Sequence, residues 1–149
     1  MKRSASAMAT VAVAVALTAG AGGNASAQSP IDLKGTWVGN GQNIVDGPAN
    51  HHPPAGAGVK PAAKYRLSDQ TFTMTIEGQD GRRFWGTMAS STKTERLIGS
   101  FSVDGKFVYM VDDDGYIDGT VVNATTLDIC YRHVRPDSAV VGCELMQRK

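Results

Sequence analysis

From about residue 70 onward the chain alternates apolar and polar positions with a period of two. Phe72, Met74 and Ile76 are interleaved with Thr71, Thr73 and Thr75, and Leu97, Gly99, Phe101 and Val103 with Ile98, Ser100 and Ser102. A β-strand imposes that period, because successive side chains leave its two faces in turn. No apolar helical period persists for three turns after Pro30, so the expectation is almost free of helix. Strands are predicted near 35–45, 64–68, 70–78, 82–90, 94–103, 106–112, 116–122, 126–134 and 138–147. That makes about nine, of which eight or so close a barrel. Asp80-Gly81, Asp104-Gly105 and Asp114-Gly115 each separate two such runs. Asp-Gly there predicts a tight hairpin, since glycine accepts positive φ and aspartate tolerates it. The fold class expected is therefore all-β: an antiparallel up-and-down meander forming a barrel of approximately eight strands.

The first hairpin has two possible registers. A two-residue Asp80-Gly81 turn places Trp85 on the same face as Ile76. A bulged Gln79-Asp80-Gly81 loop instead joins Phe84 and Met88 to Phe72, Met74 and Ile76 and turns Trp85 outward. A slip of one residue inverts every side chain. The bulged form makes the apolar set contiguous and is preferred. It makes the Trp85 face a surface for contact with a neighbouring subunit.

The ends bound the domain. Lys2 and Arg3, the apolar run Met8–Leu17 and the small-residue site Ala25-Ser26-Ala27 read as an export signal over 1–27, leaving a single domain, 28–149. The apolar run is shorter than the roughly 20 residues a bilayer-spanning helix needs. Loss of Lys2 and Arg3 turns the formal charge of +1 into −1, which offers no electrostatic footprint for nucleic acid. A periplasmic or secreted protein, without a membrane span once the signal is cleaved, is expected. Its two cysteines then pair by default. Cys130 and Cys143 lie symmetrically about Pro136-Asp137, and proline suits the second position of a type I turn. Cysteine pairing and turn chemistry thus predict one register, with a disulfide worth about 3 kcal/mol.

Candidate chemistry is sparse. The stretch 46–63 contains Gly47-Pro48, His51-His52-Pro53-Pro54, Gly56, Gly58 and Pro61, and reads as a long loop. His51-His52 lacks the three or four fixed ligands of a zinc site. Asp112-Asp113-Asp114-Gly115 with Asp118 does not follow the calcium-loop spacing and reads as turn chemistry. No metal and no cofactor are expected. The last hairpin puts Ile129, Tyr131 and His133 on one face with Val140, Gly142, Glu144 and Met146. If that face points inward, Tyr131, His133 and Glu144 are the polar groups open to a ligand, with Arg83 or Arg96 as partner for a buried Glu144. No catalytic residues are expected, because serine, histidine and aspartate occur without a nucleophile elbow. Phe72, Met74, Phe84, Met88, Phe101 and Met110 would fill much of an eight-stranded interior, with Gly86 and Gly99 leaving room at one level.

Gly35-Thr36-Trp37 on the first strand of a small exported meander resembles the start of a calycin barrel, the superfamily of lipocalins, avidins and a group of bacterial metalloprotease inhibitors. The resemblance implies that Trp37 closes one end of the barrel. Avidins place a biotin-contacting polar residue where this chain has Gly39, and carry later tryptophans where only Trp85 remains. The function expected is an exported, non-catalytic binding barrel for a small apolar ligand. The alternative is a protein-interaction module, such as a periplasmic protease inhibitor or adhesion factor, using the 46–63 loop.

Overall fold

The computed structural model describes residues 30–47, 65–136 and 138–149. The expected signal, His51-His52, nearly all of the 46–63 stretch and Asp137 of the last turn lie outside the described residues. Eight antiparallel strands form a closed barrel in sequence order: β1 (Gly35–Asp46), β2 (Arg66–Asp80), β3 (Arg83–Ala89), β4 (Thr94–Phe101), β5 (Phe107–Val111), β6 (Tyr116–Asn123), β7 (Thr126–Arg135) and β8 (Ser138–Arg148). There is no helix among the described residues. The two strands expected at 64–68 and 70–78 are one. No glycine or proline interrupts them, and Ser68 and Asp69 stay paired with Asn43 and Gln42 of β1.

The first hairpin keeps the preferred faces by a different device. Asp80 pairs with Arg83 around a two-residue Gly81-Arg82 turn, with Gly81 at φ +57°, and the irregularity lies between Ile76 and Gly78. Below it Met74 faces Met88 and Ile76 faces Gly86, so Phe84 and Met88 join the core while Trp85 is 47% exposed. The bulge is therefore at Glu77 rather than in the loop. It accompanies Gly78, where a Cβ would collide with the Trp85 ring.

The other two Asp-Gly sites differ in kind. Gly105 has φ +73° and turns the chain as expected. Gly115 does not have positive φ; it leaves space, since a Cβ there would run into the Tyr131 ring. The last hairpin has the expected register throughout, with Cys130 opposite Cys143 and Arg135 opposite Ser138. The disulfide joins them at a Cα separation of 4.1 Å.

The core fills one end of the barrel. Leu33, Trp37, Met74, Ile76, Phe84, Phe101, Val108, Leu127 and Met146 are all at most 3% exposed. Phe84 meets Phe101 edge-on at 5.6 Å. A segment preceding β1 crosses this end. Its Leu33 donates its backbone N–H to Gln79 Oε1 at 2.8 Å, and Gln79 Nε2 donates to the Ile31 carbonyl at 3.0 Å. Trp37 Nε1 donates to the Leu33 carbonyl at 2.8 Å, and the Arg148 guanidinium lies 4.8 Å from the Trp37 ring. Both polar ends of the buried side chains are thereby satisfied, as burial demands. Gly86 and Gly99 do not open a cavity here. The Phe84 ring and Met110 occupy the space at Gly99, and the β2 backbone at Thr75 occupies that at Gly86.

Candidate functional site

At the opposite end the interior is hollow. A cavity of about 60 Å³ lies between β1–β3 and β6–β8, walled by Val45, Phe72, Met88, Ile117, Ile129 and Val140. Asn43, Arg66, Ser68, Gln70, Asp112, Tyr131, His133 and Glu144 add polar groups. Glycines on β1 and β8 make room for the lining side chains: Met146 and Glu144 pack on Gly39, Phe72 and Glu144 on Gly41, and Asn43 on Gly142. The ladder between these strands pairs Val38 with Gln147, then resumes in phase only at Gln42 with Cys143. Within that gap the Glu144 carboxylate lies against Gly39 and Gly41: a Cβ at Gly39 would come 2.9 Å from Glu144 Oε2, and one at Gly41 3.3 Å.

All three expected site residues line this cavity, in two separate settings. Tyr131 and His133 belong to a hydrogen-bonded chain. The Tyr131 hydroxyl lies 3.0 Å from Asp114 Oδ1 and 2.8 Å from His133 Nδ1, and His133 Nε2 lies 3.3 Å from Ser138 Oγ. A phenol has one proton, and an ionised carboxylate only accepts. With Tyr131 donating to Asp114, His133 Nδ1 must donate to the phenol oxygen. A neutral His133 then accepts from Ser138 at Nε2. Burial raises the Tyr131 hydroxyl above its ordinary pKa, and the carboxylates of Asp112 and Asp114 raise it further.

Glu144 stands apart. Its Oε2 is buried with no hydrogen-bond partner, and burial pushes its carboxyl up to about 7. The expected partners, Arg83 and Arg96, are both on the outside. Arg83 pairs with Asp80, and Arg96 with Asp113 at 3.5 Å. Strand parity explains this, since Phe84 and Leu97 take the inward positions beside them.

The Asp112–Gly115 turn is built as turn chemistry requires. Asp112 Oδ1 accepts from the backbone N–H of Asp114 at 3.2 Å and of Gly115 at 2.7 Å. Asp118 is elsewhere, paired with Arg132. Sequence reasoning missed the buried Glu95, whose carboxylate comes within 4.8 Å of those of Asp112 and Asp114. Lys93 pairs with Glu95, and Arg135 meets Asp114 Oδ2 at 2.9 Å. Two of the three carboxylates thus have a protein cation. Burial raises the pKa of the third, Asp112, against the two backbone donors that lower it. Parity with Leu97, Gly99 and Phe101 was the available signal for Glu95, and parity with Ser68, Gln70 and Phe72 the signal for Arg66.

On the outer wall Trp85, Ile98, Val111 and Tyr116 stand side by side across β3 to β6. In the next row Arg83, Ser100, Tyr109 and Asp118 do the same. Trp85, Ile98, Tyr109 and Tyr116 are between 47% and 64% exposed, an apolar stripe large enough to matter.

Fold and interior together define a class: a closed eight-stranded antiparallel barrel, packed at one end and hollow at the other. No protein-family model, curated protein or solved structure matches the chain.

Proposed function

We propose that this is an exported, non-catalytic, calycin-type binding barrel that holds a small ligand in its hollow end. The observation that carries the reading is Glu144, a buried carboxylate without a partner, facing a cavity with apolar walls. A buried polar group left unsatisfied costs free energy, and a ligand group that bonds to it recovers that cost. Small-ligand sites combine apolar walls with a few convergent polar groups in this way. A catalytic reading is disfavoured by His133: its far nitrogen meets a phenol, not the carboxylate that orients the base of a Ser-His-Asp triad. Native mass spectrometry of the protein purified from its own host tests the reading. A ligand-mass adduct lost in Glu144→Leu, with the melting transition retained, supports it. A clean apo mass that survives incubation with host extract overturns it.

A second reading, a protein-interaction module, is favoured by the Trp85 stripe, with a second copy of the chain as partner. A two-fold axis parallel to the strands between β4 and β5 lays Trp85 over Tyr116, Ile98 over Val111 and Arg83 over Asp118. The stripe thus sets apolar side chains against apolar ones and Arg83 against Asp118, the residue-for-residue pairing an isologous interface needs. Sedimentation velocity of wild type against Trp85→Ser separates a dimer from a monomer.

A further inference from the structure

Two charged side chains lining the cavity each carry a buried polar atom with no hydrogen-bond partner, and their charges are opposite: Glu144 Oε2 and Arg66 Nη2. They are at different depths. Arg66 is level with Val45, which is level with Val140. Glu144 lies four residues deeper along β8 than Val140, or about 13 Å at the rise of a strand. Side-chain reach shortens that span. The apolar walls run from Val45 and Val140 beside Arg66, past Ile117, to Ile129 beside Glu144 and Phe72 one step deeper, with Ser68, Asn43 and Tyr131 facing the span between the two charges. The cavity is also narrow. At about 60 Å³ it has room for about four water molecules, too little for a ring system but enough for the leading part of a thin chain. Met88, unbranched and adaptable, lines the path and can give way to the rest.

We propose that the ligand is an unbranched zwitterion, with a terminal ammonium group for Glu144, a terminal carboxylate for Arg66 and an apolar spacer between them. One such molecule would satisfy both orphaned groups at once. The inference rests on the cavity reading above and narrows its ligand class. Charge-assisted hydrogen bonds hold both ends: the ammonium donates to the Glu144 carboxylate, and the Arg66 guanidinium donates to the ligand carboxylate. A neutral apolar ligand would leave both groups unmet, and a fatty acid would leave Glu144 so. Burial holds the Glu144 proton to about pH 7, so an ammonium docked there at pH 6 displaces it.

Isothermal titration calorimetry with 6-aminohexanoate, 8-aminooctanoate, hexylamine, hexanoate and hexanol tests the assignment. One of the two amino acids is expected to bind at least tenfold more tightly than any one-ended probe. Glu144→Gln should reduce it to the affinity of hexanoate, and Arg66→Gln to that of hexylamine, with Arg66→Lys recovering part of the loss. At pH 6, titrations in buffers of different ionisation enthalpy should show proton release, absent in Glu144→Gln. Thermal melts of each variant confirm that it is folded. Binding of hexanol with no advantage for either amino acid overturns the zwitterion and leaves the cavity reading standing. Failure of every probe, hexanol included, overturns both.

Discussion

The two ends of the barrel interior follow different rules. Around Trp37 the indole N–H reaches Leu33, and Gln79 clamps the crossing segment from both sides. Around Glu144 apolar walls are interleaved with polar side chains, and a carboxylate oxygen is buried with nothing to bond. Both ends use strands of the same meander and the same inward parity. The difference lies in residue size and polarity: Trp37, Phe84 and Phe101 fill the first end, whereas Gly41 and Gly142 line the second. A closed eight-stranded barrel is just wide enough to be filled by side chains or to admit one small ligand. The interior of this barrel is packed by side chains at one end and leaves a cavity at the other.

Substitutions can break that contrast. The largest effect is expected from Trp37→Ala, which empties the packed end. Loss of a fully buried tryptophan should cost about 3–5 kcal/mol in urea-induced unfolding, with ligand binding at the other end weakened far less. Replacing Cys130 and Cys143 by serine should cost about 3 kcal/mol by the same measurement, because the constraint on the unfolded chain is removed.

Glu144 should act through pH. Its folded-state pKa, about 7, lies above the ordinary 4.5. The folded protein therefore holds a proton that the unfolded chain has released, and stability falls as pH rises between these values. The loss should be on the order of 2–3 kcal/mol by pH 8 in the ligand-free protein. Denaturation of Glu144→Gln at several pH values should show that slope removed; an unchanged slope would sink the assignment. The smallest effect belongs to Tyr131→Phe, which deletes the hydroxyl between Asp114 and His133. About 1 kcal/mol is expected, and the His133 titration followed by NMR should move.

Much of this was legible beforehand where local rules decide. Alternation over 72–76 and 97–101 and the Cys130–Cys143 symmetry about Pro136 follow from period and turn chemistry, and the outward Trp85 from keeping the apolar set contiguous; Val103, read into the fourth strand, lies beyond its end at Phe101 and is exposed. The strand count was one too high because two adjacent polar residues, Ser68 and Asp69, resemble a turn until β1 is seen to pair straight across them. Glycines were harder to read. Gly105 serves the backbone angle, but Gly115 makes room for Tyr131, and that room is a tertiary fact. Tyr131, His133 and Glu144 could be placed on one face by parity. That Glu144 would lie apart from the other two, without Arg83 or Arg96, depended on which strands meet when the barrel closes.

The interrupted ladder between β1 and β8 has a kinetic consequence. Seven of the eight strand pairings join sequence neighbours and can form early as hairpins. The eighth joins the two ends of the domain, the slowest kind of contact to make. Glu144 reaches Gly39 and Gly41 only across that seam, so the cavity around it is incomplete until the barrel closes. A ligand bound as proposed would latch that closure, and the ligand-free protein should show faster amide hydrogen exchange along β1 and β8 than along β6 and β7.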